Sequence, residues 1–323
     1  MFISRTPFRV SLFGGGSDIP KYFLERGGEV LSFTINKYCY VSTRIPSNVI
    51  EHNLKVAYSK IEVCQKAQEI EHPLIRTALL DFRFPTLELH YDSDLPANSG
   101  LGTSSSFAVG MANCLYAHRG EFPTKKILAD KAIYWERERL RENGGYQDQI
   151  AASYGGVNHI TFHKNNTYQI NNFNISSAQK KSIEDRILIC YIPIKRFSNN
   201  HSVQKYLNEK ETIDKVTSIK SIVKESINAL VNENYDQIGE LLNISWQYKK
   251  SIKNVSNDLI NEIYNTGISA GALGGKILGA GGGGFILFWC KEGEKNIVAQ
   301  KLSSLSKIDF SIEKEGSKLI YKD

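Results

Sequence analysis

Residues 95–110, LPANSGLGTSSSFAVG, constrain this chain more than any other stretch. Pro96, Gly100 and Gly102 make a turn. Four hydroxyl side chains in a row, Thr103 to Ser106, then run without a break into the helix-compatible FAVGMANCLYAHR (107–119). A turn that opens directly into a helix presents free backbone N–H groups at the positive end of the helix dipole, and both favour an anion. Glycines supply positive φ and let a ligand approach the backbone. The hydroxyls can cap the helix or ligate a hard divalent cation. A plain capped turn has the same parts, so this layout alone leaves both readings open.

Two more glycine-rich loops sit near the chain ends. PFRVSLFGGGSD (7–18) reads as a strand ending in three glycines, then Ser17 and Asp18, and an Asx-type turn would look the same. GKILGAGGGGFILFWC (275–290) reads as strand, glycine turn, strand, with five glycines among residues 279–284. That is more glycine than a hairpin needs and suggests close approach to a ligand or another loop. Gly279, Gly281 and Gly284 spell G-x-G-x-x-G, but they open a strand candidate rather than a helix, which excludes the dinucleotide reading. The standard phosphate loop G-x-x-x-x-G-K-[ST] is absent: Gly275-Lys276 is followed by Ile277 and has Ala270 where the first glycine belongs. Protein-kinase signatures are also missing.

The remaining pattern mixes strands and helices. Residues 9–13, 37–45, 55–59 and 87–93 read as strands, and 73–82, 104–119 and 124–140 as helices, with Thr124 an N-cap. GGYQDQIAASYGGVNHITF (144–162) breaks the helices and returns to a strand. The asparagine-rich segment 163–179 marks a boundary, giving units at 1–175 and 186–323. Beyond it, 186–194 reads as a buried strand, and helices dominate 200–270. A last helix and strand follow 290. Mixed rather than alternating elements predict an α+β fold.

At 323 residues, 41% hydrophobic and 23% charged, the chain can bury a large core in two domains. A net charge of +6 with no dense basic cluster suits an anionic small molecule and argues against nucleic acid. No apolar run reaches about 18 residues, so no membrane partner is expected. The scattered Cys39, Cys64, Cys114, Cys190 and Cys290 have no metal or disulfide spacing and point to a cytoplasmic protein. The start lacks a signal-peptide layout.

In order, the three loops resemble the three signature motifs of the GHMP kinase superfamily, which includes galactokinase, homoserine kinase, mevalonate kinase and phosphomevalonate kinase. PFRVSLFGGGSD is similar to the first motif as sugar kinases carry it. LPANSGLGTSSS is similar to the second, P-x-x-x-G-L-G-S-S-A, with Thr103 and Ser106 in place of Ser and Ala. KILGAGGGGF is similar to the third. The resemblance spans the chain. FGGGSD with GGYQDQIAASYGG is most similar to the D-glycero-D-manno-heptose 7-phosphate kinases. It implies a two-domain α+β fold, with an N-terminal domain like ribosomal protein S5 domain 2, a ferredoxin-like C-terminal domain, and ATP and sugar in the cleft between them.

The resemblance also assigns roles. The loop of Pro96, Ser99, Gly100, Leu101, Gly102, Thr103, Ser104, Ser105 and Ser106 would wrap the ATP phosphates, with backbone N–H groups from Ser99 to Ser106 as the donors. Ser104, with Thr103 its rival, would ligate Mg²⁺ together with Glu136. Glu138, two positions round the same helix, cannot face the same site. Asp148 would act on the attacking hydroxyl as base or positioning group, or alternatively cap the helix after it. Arg9 would neutralise the transferring phosphate or pair with Asp148. Gly14, Gly15, Gly16, Ser17 and Asp18 would hold the sugar, aided by Gly282 and Gly283. Arg196, in IPIKRFSNNHS, would meet a sugar phosphate, although Ile194 and Lys195 replace the family's Thr and Gly there. Arg5, Lys21 and Lys37 rank below it. The implied reaction is ATP-dependent phosphorylation of the C1 hydroxyl of a small-molecule sugar phosphate, heptose 7-phosphate. The rivals are the same chemistry on fucose, galactose or an N-acetylhexosamine, and an inactive nucleotide- or sugar-binding regulator. The sequence leaves a homodimer open.

Overall fold

The structure is a computed structural model that describes residues 1–97, 99–193 and 203–322. An eight-stranded sheet takes β1 (Phe2–Phe13), β2 (Gly28–Arg44), β3 (Leu54–Ala57), β4 (Ile61–Cys64), β5 (Leu87–Ser93), β6 (Val157–Phe162) and β7 (Tyr168–Phe173). A four-stranded antiparallel sheet takes β8 (Ile187–Ile192), β9 (Ala272–Ile277), β10 (Gly284–Cys290) and β11 (Ser306–Lys307), in the order β11-β8-β10-β9. The chain's last strand, β12 (Lys318–Lys322), crosses back to pair antiparallel with β1 at the edge of the first sheet. The unit expected at 186–323 thus gives its final strand to the other sheet. A five-residue run is too short to announce its partner.

β2 is the spine of the larger sheet. Its 17 residues pair with β1 along most of their length, with β6 over Gly28–Phe33 and with β5 over Cys39–Arg44. β1 starts at Phe2, earlier than the 9–13 apolar run suggests. Ser4 and Thr6 are fully buried there, each hydrogen-bonded: Ser4 Oγ donates to Gly110 O at 2.9 Å and Thr6 Oγ1 to Ser317 Oγ at 2.8 Å. Satisfied polar groups of this kind erase the apolar signal of a buried strand.

The helices are α1 (Pro20–Arg26), α2 (Pro73–Phe82), α3 (Thr103–His118), α4 (Lys125–Ile133), α5 (Gln147–Tyr154), α6 (Ser177–Glu184), α7 (Lys210–Val231), α8 (Tyr235–Lys250), α9 (Asp258–Ser269) and α10 (Lys295–Lys301). α3 is buried on nearly every side, as a helix apolar all round must be. α7 lies against β1 and β2, so one apolar core runs from Leu12 and Phe13 to Leu278, Phe285 and Trp289. The cleft between the sheets is therefore walled by packed elements. Among the described residues, no helix is long and apolar enough to cross a membrane.

Candidate active site

Gly102 caps α3 in the left-handed region, φ 74°. An alanine Cβ there would lie 3.3 Å from Asp148 Oδ2 and from Arg9 Cγ. The Ser106 N–H donates to Gly102 O at 2.9 Å. The N–H groups of Gly102, Thr103, Ser104 and Ser105 precede that first bond and are left outside the helical ladder. Gly100, Gly102, Thr103, Ser104 and Ser105 line a cavity of roughly 820 Å³.

The other loop residues hold the loop rather than the cavity. Leu101 is fully buried, and its carbonyl accepts from Arg9 N at 3.0 Å. Ser99 O accepts from Phe285 N at 3.2 Å, which ties the loop to β10. Ser106 Oγ donates to Pro7 O at 3.0 Å. Pro96 is exposed, off the cavity lining.

Arg9 and Asp148 meet on the cavity lining. Arg9 Nε and Nη2 donate to Asp148 Oδ1 and Oδ2 at 2.7 and 2.8 Å, a bidentate pair, and Nη1 donates to Gly100 O at 2.7 Å. Arg9 is only 4% exposed, so its charge is spent on these two partners rather than on solvent. Asp148 does not cap α5. Tyr146 holds the cap position and Asp148 stands in the first turn.

The expected helix 124–140 ends at Ile133 and widens into a π-helical turn over Tyr134–Arg139. Leu140 N donates to Trp135 O, five residues back, at 3.0 Å. This turn leaves Glu136 1% exposed and Glu138 on the outside. Ser104 Oγ donates to Glu136 Oε1 at 3.1 Å, Ser105 Oγ to Oε2 at 2.7 Å, and Gln149 Nε2 to Oε2 at 2.6 Å. Ser105 therefore does more than start a helix. Thr103 lines the cavity, but Ser104 is the hydroxyl that meets Glu136 on the cavity side.

Asp18 lines the same cavity and is 2% exposed. Its Oδ1 accepts from Gly16 N at 2.9 Å and its Oδ2 from Gln147 N at 3.4 Å. Burial, then the charge of Asp148, pushes its carboxyl above the usual range. Gly15 and Gly16 line the cavity, whereas Gly14 is packed against the Glu29 carbonyl. Ser17 is fully buried, with its Oγ 2.8 Å from Gly14 O and 2.9 Å from Glu29 O. It fastens the loop and does not reach the cavity. Gly145 packs so closely on Asp18 that any side chain there would overlap the carboxylate.

In the third loop, Gly279, Ala280 and Gly281 face the cavity, but Gly282 and Gly283 do not. The Gly282 N–H is engaged by Val255 O at 2.9 Å. Arg196 lies outside the described residues, as do Ile194, Lys195 and His201. Arg5, Lys21 and Lys37 are off the lining. Sequence reading missed four cavity cations: Arg137, Arg141, Lys249 and Lys276. The first two sit in a charged run that reads as a solvated helix face. Lys276 lies beside a glycine loop that attracts the attention. Lys276 Nζ donates to Leu12 O at 2.8 Å, and burial, assisted by Arg9, pushes its ammonium down to about 7.

The glycine loops, the buried carboxylates and the two-sheet frame agree with the comparisons. The model of the GHMP kinases N terminal domain matches residues 73–156, and that of the GHMP kinases C terminal matches 226–307. D-glycero-alpha-D-manno-heptose 7-phosphate kinase of Campylobacter jejuni is 31% identical over 98% of this chain and 97% of its own. This chain belongs to the GHMP kinase family. It has that family's two-domain α+β fold and is an ATP-dependent kinase. A crystal structure of a D-glycero-D-manno-heptose 1-phosphate kinase from Bacteroides thetaiotaomicron is similar with a TM-score of 0.82 and 25% identity, covering 100% of both chains. Lactococcus lactis galactokinase complexed with galactose shares the fold with a TM-score of 0.76 at 17% identity, over 98% of this chain and 94% of that one.

Proposed function

We propose that this kinase transfers the γ-phosphoryl group of ATP to the anomeric C1 hydroxyl of D-glycero-D-manno-heptose 7-phosphate. The product would be the 1,7-bisphosphate, an intermediate toward nucleotide-activated heptose. One observation carries the reading: Asp148, tied through Arg9 to the Gly100 carbonyl, stands on one cavity with the Thr103–Ser105 helix start and Asp18. That shared lining supports a reading in which the helix end binds phosphate, Asp148 serves the reaction centre and Asp18 grips the sugar.

Phosphoryl transfer asks for positioning and charge neutralisation more than for covalent chemistry by the protein. The N–H groups of Thr103, Ser104 and Ser105 hold the ATP phosphates. Asp18 accepts hydrogen bonds from sugar hydroxyls, and Asp148 orients the C1 hydroxyl and takes its proton. The sugar oxygen forms the new P–O bond, the β–γ bridging bond breaks, and ADP leaves. Arg9 keeps Asp148 in place and adds positive charge beside the transferring group. Ser104 Oγ and Glu136 Oε1 fit Mg²⁺, which takes few protein oxygens and completes its shell with phosphate and water. When bound there it would neutralise the β- and γ-phosphate oxygens. ATP use of this kind fits a cytoplasmic enzyme.

Arg137 and Arg141 line the cavity and are suited to the sugar's own phosphate. The names of the two heptose kinase relatives put that phosphate on different carbons. A coupled ADP-release screen over free and phosphorylated heptoses, fucose, galactose and N-acetylhexosamines tests the substrate. Strict dependence on a 7-phosphate supports the reading. Equal turnover of a free hexose overturns it.

A further inference from the structure

We infer that Gln149 and Ser105 are positioning residues that turn Glu136 so that one carboxylate oxygen faces a metal ion, an inference that rests on the Mg²⁺ reading of Glu136. The two oxygens of Glu136 have different surroundings. Oε2 faces inward and accepts from Ser105 Oγ at 2.7 Å and from Gln149 Nε2 at 2.6 Å. Ser105 is 3% exposed and Gln149 is fully buried. Among the described residues, Oε1 accepts a hydrogen bond only from Ser104, which is exposed to the cavity. Two short donors on one oxygen fix the carboxylate's rotation and leave the lone pairs of the other for a cation.

Gln149 is suited to this task and poorly suited to a purely structural one. Its Oε1 is buried with no hydrogen-bond partner among the described residues. Such an orphan costs stability, so the amide is poorly satisfied except through its contact with Glu136. Its place in the chain adds a consequence. Asp148 and Gln149 are neighbours in the first turn of α5, about 100° apart round the helix. One side chain runs to Arg9 and the other to Glu136. A single rigid turn therefore sets the reaction-centre carboxylate and the metal carboxylate in register. The π-helical turn at Tyr134–Arg139 supplies the other half by aiming Glu136 at that turn. π-Bulges inside helices are frequent at functional sites.

The test is Mn²⁺ binding, read by electron paramagnetic resonance of the free ion, to the full chain with a non-hydrolysable ATP analogue. Wild type is compared with Glu136→Gln, Gln149→Met and Ser105→Ala, and metal-free nucleotide binding is measured in parallel. Gln149→Met keeps the volume and removes the donor. Ser105→Ala removes the second donor with little risk to folding. Each is expected to weaken Mn²⁺ binding by about 10-fold or more, and Gln149→Met is expected to keep metal-free nucleotide affinity within about twofold of wild type. Mn²⁺ affinity within twofold of wild type in both variants overturns the inference and leaves the Glu136 reading intact. So does an equal loss of metal-free nucleotide binding in Gln149→Met, which marks a structural role. An unchanged Mn²⁺ affinity in Glu136→Gln removes the metal reading itself, and the inference with it.

Discussion

Arg9 grips both oxygens of Asp148, at 2.7 and 2.8 Å, and with its remaining nitrogen holds the carbonyl of Gly100 at 2.7 Å. One guanidinium thus joins the loop that opens α3 to Asp148, the carboxylate we propose for the reaction centre. The planar fork makes this possible, and lysine has no equivalent. Arg9→Lys should keep the fold, since the stem remains, and lose the bidentate geometry. A misplacement of about 1 Å at such a centre costs on the order of 100-fold in rate. Steady-state kinetics should show that loss in kcat, with a smaller change in KM for ATP.

Asp18 is held in a state that costs stability. Its carboxyl is raised by burial and by Asp148, so the folded chain binds its proton more tightly than the unfolded chain. The penalty is absent below the unfolded value of 3.8, where both states are protonated, and grows as pH rises. Asp18→Asn should therefore raise the melting temperature near pH 7, and this gain should vanish toward pH 3.5. The same variant should lose sugar turnover, since the amide no longer offers two acceptor oxygens. Thermal melts across pH together with an activity assay check both halves.

Lys276 carries the opposite sign of proton linkage. Its folded value of about 7 lies below the unfolded 10.5. Between those values the unfolded chain binds more protons, so stability contributed here rises with pH. Lys276→Met should flatten the rise in unfolding free energy from pH 7 to about 9.5, measured by urea unfolding. An identical slope in both proteins would show that Lys276 keeps an ordinary ammonium.

Gly102 combines a left-handed backbone with contact to the Arg9–Asp148 pair. Gly102→Ala should cost about 1 kcal/mol of stability from backbone strain alone. Activity should fall further, because the new methyl presses on the Arg9–Asp148 pair proposed to orient the sugar. A loss of activity no larger than the loss of folded protein would rule out that second effect.

Much of this site could be read in the sequence because its parts are local. Glycines, a row of hydroxyls and a helix start are adjacent in 95–110, and the same holds for the strand and glycines of 7–18. What escaped was set by packing. The π-helical turn has no sequence signal of its own, yet in it Glu136 is buried and Arg137 lies on the cavity lining. Ser17, Leu101, Ser106 and Gly282 share motifs with cavity residues, but neighbouring backbone groups engage them. β12 could not be assigned because strand partners far apart in sequence are chosen by the whole sheet.

Asp148 carries the central claim, and its alanine variant tests it most directly. Turnover of D-glycero-D-manno-heptose 7-phosphate with Mg·ATP should fall to background in Asp148→Ala, while ATP binding measured by calorimetry stays near that of wild type. Near-normal turnover in that variant would contradict the assignment of Asp148 to the reaction centre.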